Sequence, residues 1–438
     1  MRNELKHIAR LAWPNSLGMA AFMAMSVIDT ICVGQLGSVA QAGVGAAHAW
    51  GLSGSVLAFG AIRAIEPIVS QAHGAGDREA VGQALVRTLV LALPLAAFSF
   101  AWYFLAAPGL RLLGQPESVL PTAEIYAQAF AWSWWPALVF QVLRAFFQSL
   151  GIVRPPMVVM VVGGLAKAPL NLALMNGWGP LPALGVAGVG WATLLVELVM
   201  LSALVAVTWR TLSSYWPAAP LVSPRALARL FGLGLPLGVQ MGTEFWAFAA
   251  MQMMMGQIGP DAMAAHQVAL SLASVSFMLP LGVSSAAAAR VGQRFGAGED
   301  WGPTAKAAIL LGVGLQLVSG AVFWLFGPLL VQPYSSDVAV RAVAASLMPI
   351  AAAFQLFDGL QVIGFGVLRG AGDVRVPTVA NLVGYYVMGL PFGYWLGLRL
   401  GLGPQGIWWG ISLGLAIVGT SLLFRIRYVH RRGGVRVR

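Results

Sequence analysis

The sequence predicts an all-α polytopic membrane protein, with twelve transmembrane helices in two six-helix bundles related by a pseudo-two-fold along the membrane normal. Three observations lead there. Of 438 residues, 58% are hydrophobic and only 9% charged, and the mean hydropathy is +0.78. Soluble domains carry about 25% charged residues, so these charges cannot cover a water-facing surface. A disordered chain is excluded as well, since disorder requires low hydrophobicity. The second observation is a series of apolar runs long enough to cross a bilayer, and the third is an internal repeat whose basic residues fall on alternate sides of those runs.

A hydrocarbon core about 30 Å thick takes roughly 20 helical residues. Runs of that kind lie near 12–36, 44–70, 83–106, 122–149, 157–178, 186–208, 226–256, 263–289, 304–330, 341–369, 377–400 and 405–427. No backbone group can be satisfied by lipid, so these runs must be helices. The first run is too long for a cleavable leader and itself directs insertion. With the N-terminus placed in the cytoplasm, the inside segments hold Arg2, Lys6, Arg10, Arg78, Arg87, Arg144, Arg154, Arg210, Arg225, Arg229, Arg290, Arg294, Lys306, Arg369, Arg375 and the tail arginines Arg425, Arg427, Arg431, Arg432, Arg436 and Arg438. The outside segments hold only Arg111, Arg341 and Arg399. This asymmetry predicts a multi-pass protein of the cell (inner) membrane with both termini cytoplasmic. The net charge of +11 therefore encodes topology, and the basic tail reads as an anchor near anionic lipid. No basic strip interleaved with aromatics points to nucleic acid.

The halves echo each other at an offset of 221–222 residues. Gln71-Ala-His-Gly74-Ala-Gly76-Asp77 matches Gln293-Arg-Phe-Gly296-Ala-Gly298-Glu299, Trp13-Pro14 matches Leu235-Pro236, and Arg154-Pro-Pro156 matches Arg375-Val-Pro377. Gly188-Val-Gly-Trp191 resembles Gly406-Ile-Trp-Trp409 at a slightly shorter offset. Six spans per half make the repeat parallel. The expected division is an N-lobe at 1–208, a cytoplasmic linker at 209–225 containing Pro217, Pro220 and Pro224, and a C-lobe at 226–438. Two facing bundles suit alternating access around a central cavity.

Intramembrane acids are the chemical signal. A charge at the bilayer centre costs about 2.5–3.5 kcal/mol on insertion scales and marks ion or substrate pathways. Asp29 lies in the first run, roughly 26 Å from its inner end at 1.5 Å per residue. Asp358, in the tenth run, is flanked by Gln355 and Gln361, each three residues away, which makes one polar helical stripe. Gln240 and Glu244 form a second such stripe on the seventh run. A buried carboxylate must hold a proton or pair with a cation, so a site that takes up Na⁺ or H⁺ in one conformation and releases it in another can couple transport. Carboxylate and amide oxygens suit a hard ion, with Glu244 and Asp358 as Na⁺ ligands. Arg63 and Glu66 read as a local ion pair. Lys167 and Glu197 read as a pair between adjacent helices, or more sharply as a proton relay. Asn171 and Thr193 read as interhelical hydrogen-bond formers. The methionines of the seventh run (Met241, Met251, Met253, Met254, Met255) suit an adaptable apolar pocket or plain packing.

Pro14 with Asp29, Gln71 to Asp77, Pro169-Leu-Asn171, Pro236 with Glu244, Gln293 to Glu299, Asp358 and Leu368-Arg-Gly-Ala-Gly-Asp373-Val-Arg-Val-Pro377 together resemble the multidrug and toxic compound extrusion (MATE) family, in its NorM-like branch, over essentially the whole chain. The resemblance implies a cation-coupled multidrug efflux antiporter with two lobes. It implies substrate or proton binding by Asp29, Asn171 and Thr193, and a coupling-cation site at Glu244 and Asp358, beside which stand the polar residues Gln240, Gln355 and Gln361. The sequence departs from some members at Met175, where an archaeal branch carries a carboxylate, and at Phe354, where some NorM-like members carry tyrosine.

The partners expected are small organic cations and drugs and the lipid bilayer, with no nucleic acid, and a monomer is expected. No cofactor is expected, only transported Na⁺ or H⁺. A lipid-linked precursor flippase is the alternative; the spans offer it only Arg63 and Lys167 for a pyrophosphate. An intramembrane enzyme lacks a nucleophile–base pair: Cys32 is the single cysteine, and the histidines His7, His48, His73, His266 and His430 are scattered. No Gly-Lys-Ser/Thr loop points to ATP.

Overall fold

The computed structural model describes residues 1–178, 182–219, 221–434 and 436; Pro220 of the expected linker and Arg438 of the tail lie outside them. Twelve crossing elements follow in chain order. They begin with α1 (Arg2–Gly34), α2 (Ser38–Gly74, with a tight turn at Ile62–Ala64) and α3 (Arg78–Phe104). Next come α4 (Leu120–Ala131 and Trp134–Ser149), α5 (Arg154–Asn176), α6 (Val186–Tyr215) and α7 (Pro224–Ile258). The last are α8 (Pro260–Gly296), α9 (Gly302–Val331), α10 (Val338–Gly370), α11 (375–399) and α12 (Gly403–Arg431). Among the described residues, nine of these are helical stretches long and apolar enough to cross a membrane. The other three are α4, interrupted at 132–133; α7, diluted by polar residues; and α11, which runs from Arg375–Leu382 through π-helical stretches at Val383–Gly389 and Trp395–Arg399. The chain is a multi-pass membrane protein.

Helix α1 begins ten residues before its apolar run. The cause is Glu4, whose carboxylate accepts from Arg294 Nη1 at 2.7 Å, Arg290 Nη2 at 3.2 Å and Thr304 Oγ1 at 2.9 Å. These bonds hold the polar first turns in helical register.

Two compact units emerge. One, the C unit, comprises Met1–Ser16, Gly74–Gly76 and Thr243–Arg438; the other, the N unit, comprises Leu17–His73 and Asp77–Gly242. The boundaries fall just after Pro14 in α1 and Pro236 in α7, where each proline removes an intrahelical hydrogen bond.

In the C unit, α10 is central and packs on α8, α9 and α12. Its core gathers Met251, Met255, Phe354, Tyr385 and Trp408. Two of the five methionines of α7 thus serve as packing, whereas Met253 is exposed. Along α11 and α12, backbones meet glycine to glycine: a Cβ on Gly410 would stand 2.2 Å from Gly393 Cα, so only glycine fits. Ser16 Oγ donates to Leu279 O at 3.1 Å, and Gly282 abuts Ser16. The N unit holds the repeat image of that contact, Gly60 against Gly238. There α2 and α3 are tied by stacked Trp50 and Trp102, each indole N–H donating to the other's carbonyl at 2.9 Å. Arg63 and Glu66 form the expected local pair at 2.7 Å.

Candidate ion and substrate sites

The N-unit site is built by α1, α5 and α6. Residues four apart share a helical face, so Lys167 and Asn171 project together from α5, and Thr193 and Glu197 from α6. Asp29 receives both α5 donors on one oxygen, Asn171 Nδ2 at 2.7 Å and Lys167 Nζ at 3.1 Å. Lys167 also donates to Thr193 Oγ1, which donates to Val189 O at 3.0 Å. Asp29, Asn171 and Thr193 therefore stand together around the ammonium group. The sequence pairing of Lys167 with Glu197 is corrected: the contact ion pair is Lys167–Asp29. The reason is geometric, because Asn171 draws Asp29 onto the same face from which Lys167 projects. Glu197 is buried, interacts with Lys167 through space, and leaves Oε2 without a hydrogen-bond partner.

The C-unit site joins α7, α10 and α11. Gln361 Nε2 donates to Glu244 Oε1 at 3.0 Å and to Tyr385 Oη at 3.4 Å, and Asn381 Nδ2 donates to Glu244 Oε1 at 3.3 Å. Tyr386 Oη donates to Thr243 O at 3.3 Å and fastens α11 to α7 beside the acid. Asp358 is 8% exposed, interacts electrostatically with Glu244 and Tyr385, and makes no hydrogen bond or ion pair with a described residue. With its donor committed, Gln361 keeps Oε1 buried and unpartnered. The donor set is thus carboxylate and amide oxygen, which fits a small hard cation or a proton. Among the described residues, no group of three or more His, Cys, Asp and Glu side chains gathers as a metal cage.

Two sequence candidates fall elsewhere. Gln355 accepts from Gln316 Nε2 of α9 at 2.8 Å, and Gln240 lies on the part of α7 that belongs to the N unit. Asn381 and Tyr385 were missed, although their four-residue spacing in an apolar run is the same stripe signal that singled out Gln240 and Glu244. Met175 and Phe354 are each 2% exposed and packed in apolar core.

Three of the strings that carry the resemblance, Gln71 to Asp77, Gln293 to Glu299 and Leu368 to Pro377, prove to contain turns between helices. Gly76, Gly298 and Gly372 adopt φ of +73°, +74° and +82°, a left-handed conformation that favours glycine at helix ends. Asp77 caps α3 by accepting from Ala80 N at 2.9 Å, and Asp373 pairs with Arg425 at 2.6 Å. Their recurrence reflects helix-to-helix geometry, while the acids sit elsewhere.

Comparison with known proteins follows the same lines. The MatE family model matches residues 14–173 and 236–395, one stretch in each half. A probable multidrug resistance protein NorM of Deinococcus radiodurans is 35% identical over 98% of this chain and 96% of its own. Multidrug resistance protein PmpM of Pseudomonas aeruginosa is 33% identical over 99% and 93%. An outward-facing structure of a multidrug resistance MATE family transporter superposes with a TM-score of 0.90 at 19% identity, covering 98% of this chain and 96% of that one. A eukaryotic MATE transporter, AtDTX14, gives 0.86 at 23%, covering 98% of each chain. A duplicated family match, full-length relatives and a shared two-lobe fold agree: this chain belongs to the MatE family.

Proposed function

We propose that this protein is a cation-coupled multidrug efflux antiporter that exports lipophilic, often cationic compounds in exchange for Na⁺ or H⁺ by alternating access. It catalyses no covalent chemistry. It works as a monomer in the cell (inner) membrane with both termini cytoplasmic, and its repeat is cut as 1–208, 209–225 and 226–438. Asp29, Asn171 and Thr193 bind substrate or proton; Glu244 and Asp358 bind the coupling ion, with Gln361 as a further oxygen ligand.

One observation carries the reading. Asp358 is buried near a second acid, and no described residue gives it a hydrogen bond or a cationic side chain. An ionised carboxylate in such a place is costly, and a visiting small cation removes the cost. An ion whose binding is worth several kcal/mol in one conformation and little in another can drive cargo against its gradient.

The test is efflux from proteoliposomes under an imposed Na⁺ gradient and, separately, an imposed pH gradient. Asp358→Asn and Glu244→Gln are expected to abolish gradient-driven efflux while the purified protein remains folded. Unchanged transport in both variants would remove the mechanism.

A further inference from the structure

The N-unit site carries a charge imbalance. It contains two carboxyls, Asp29 and Glu197, and one ammonium, Lys167. All three are nearly fully buried, at 8%, 5% and 1% exposed. Among the described residues, the surrounding titratable groups are Cys32 on α1, His48 on α2, Tyr103 on α3 and Tyr126 on α4. None supplies a fixed positive charge. The His48 ring stands edge-on to Phe130 at 5.7 Å and feels the Lys167 charge through space, which would repel a second cation. Lys167 is also the only group whose charge acts on Glu197 among the described residues. One carboxyl therefore has no counter-charge.

Hydrogen bonding identifies which one. Asp29 is served by Lys167 and Asn171 on a single oxygen, the arrangement of an ionised acid. Glu197 has an oxygen buried and bare. It stands one helical turn from Thr193, to which Lys167 is already bonded, on the same face of α6. A turn is about 5.4 Å, within the swing of a lysine stem.

We propose that Glu197 holds an exchangeable proton and that Lys167 shuttles between the two acids to trade that proton for a monovalent organic cation. In the resting site Asp29 is an anion, Lys167 a cation and Glu197 a neutral acid. When an organic cation pairs with Asp29, the ammonium moves to Glu197, the Glu197 O–H bond breaks, and its proton leaves to water. The loaded site holds two anions and two cations. Charge is balanced before and after, so one proton departs per cation bound. This rests on the exporter reading for its cargo, and it assigns the N unit a proton of its own, separate from the ion of Glu244 and Asp358.

The experiment has two arms on the purified full-length protein. In the first, infrared difference spectra at neutral pH, without any cargo, are recorded for wild type against Glu197→Gln and against Asp29→Asn. A protonated-acid carbonyl band is expected to vanish in both. Its loss in Asp29→Asn is the distinguishing result: without Asp29, Lys167 pairs with Glu197 and ionises it, although the substituted residue was never protonated. No band in either difference overturns the proposal, as does a band lost in Asp29→Asn and retained in Glu197→Gln. In the second arm, tetraphenylphosphonium is added in weak buffer with a pH-indicating dye. About one proton per bound cation is expected from wild type and none from Glu197→Gln. No release from wild type, or release that survives Glu197→Gln, overturns the shuttle. The infrared arm needs no cargo, so a failed gradient experiment would not imitate its failure.

Discussion

Glu4→Gln tests whether the start of α1 is fastened to the C unit by charge. Glu4 is 12% exposed at its side chain, and Arg290 and Arg294 are 24% and 22% exposed, so the cluster is half-buried. The amide keeps the shape but turns an N–H₂ toward groups that all donate, and it removes the anion shared by the two guanidinium groups, leaving only Glu299 on Arg294 at 3.4 Å. Each charge-assisted bond is worth about 1.5–3 kcal/mol. Partial exposure puts these toward the low end. The expected loss is about 2–4 kcal/mol. For a cooperative unit of roughly 200 residues, that lowers the apparent Tm by about 5–10 °C. The assay is thermal unfolding by tryptophan fluorescence at one scan rate in one detergent, run as a double-mutant cycle with Arg294→Gln. Because the side chains touch at 2.7 Å, the double variant should be less destabilised than the sum of the singles by about 1–3 kcal/mol. Additivity within about 0.5 kcal/mol would refute the reasoning.

Other perturbations reach different parts of the molecule. Gln361→Leu removes one donor from Glu244 and should raise the half-saturating concentration of the coupling ion by about tenfold in gradient-driven efflux, with Asn381 still in place. Gly60→Ala sets a Cβ 2.3 Å from Gly238 Cα and should cost about 1–3 kcal/mol of thermal stability, whereas Gly45→Ala, which meets nothing within 4 Å, should stabilise slightly. At the α8–α9 turn, a hydrogen bond from His430 at 2.7 Å, then one from Gly302 N at 2.8 Å, hold the Asp300 carboxyl below its usual range. A depressed acid stabilises the fold above its unfolded value near 4 and loses that contribution as pH falls through its folded value. The stability gap between wild type and Asp300→Asn should therefore close between pH 7 and about pH 3, and it should stay below about 1 kcal/mol throughout because the pair is exposed.

What could be read from the chain was whatever has a period or a forbidden location. Twelve runs, the parallel repeat and the acids Asp29, Glu244 and Asp358 all announce themselves by length, offset or burial cost. Partner choice did not. Lys167 has two acids within reach, and spacing along α5 and α6 cannot say which is closer; the answer depends on where α1 passes, which is set by packing. Gln355 and Gln361 lie on one stripe with Asp358, yet a helix face is wide enough for the first to bond Gln316 on α9 and the second to bond Glu244 on α7. Glu4 escaped notice because its value lies in three partners from distant helices, none nearer than Arg290 in sequence.

The scaffold repeats, but the chemistry does not. Gly60 against Gly238 and Gly282 against Ser16 are images of each other, as are the left-handed turns at Gly76 and Gly298. At the repeat positions of the acids, however, Asp29 corresponds to Met251, Glu244 to Phe22 and Asp358 to Pro136. Close backbone contacts are matters of shape, which duplication copies for both halves at once. A buried acid is useful only with particular neighbours, and the two units differ there. The N unit includes its own cation in Lys167 beside Asp29, so an arriving charge must displace a resident one. Among the described residues no lysine or arginine acts on Asp358, so on the proposed reading an arriving charge simply fills the place. Displacement makes occupancy sensitive to the shape and charge of the incoming molecule, which suits cargo. Filling makes it sensitive to ion concentration, which suits a driving gradient. Phe354→Lys, one turn before Asp358 on α10, would set an ammonium on the acid's side of the helix and convert the second design into the first; it costs stability by opening an apolar core, and the protein that still folds should transport without responding to either gradient.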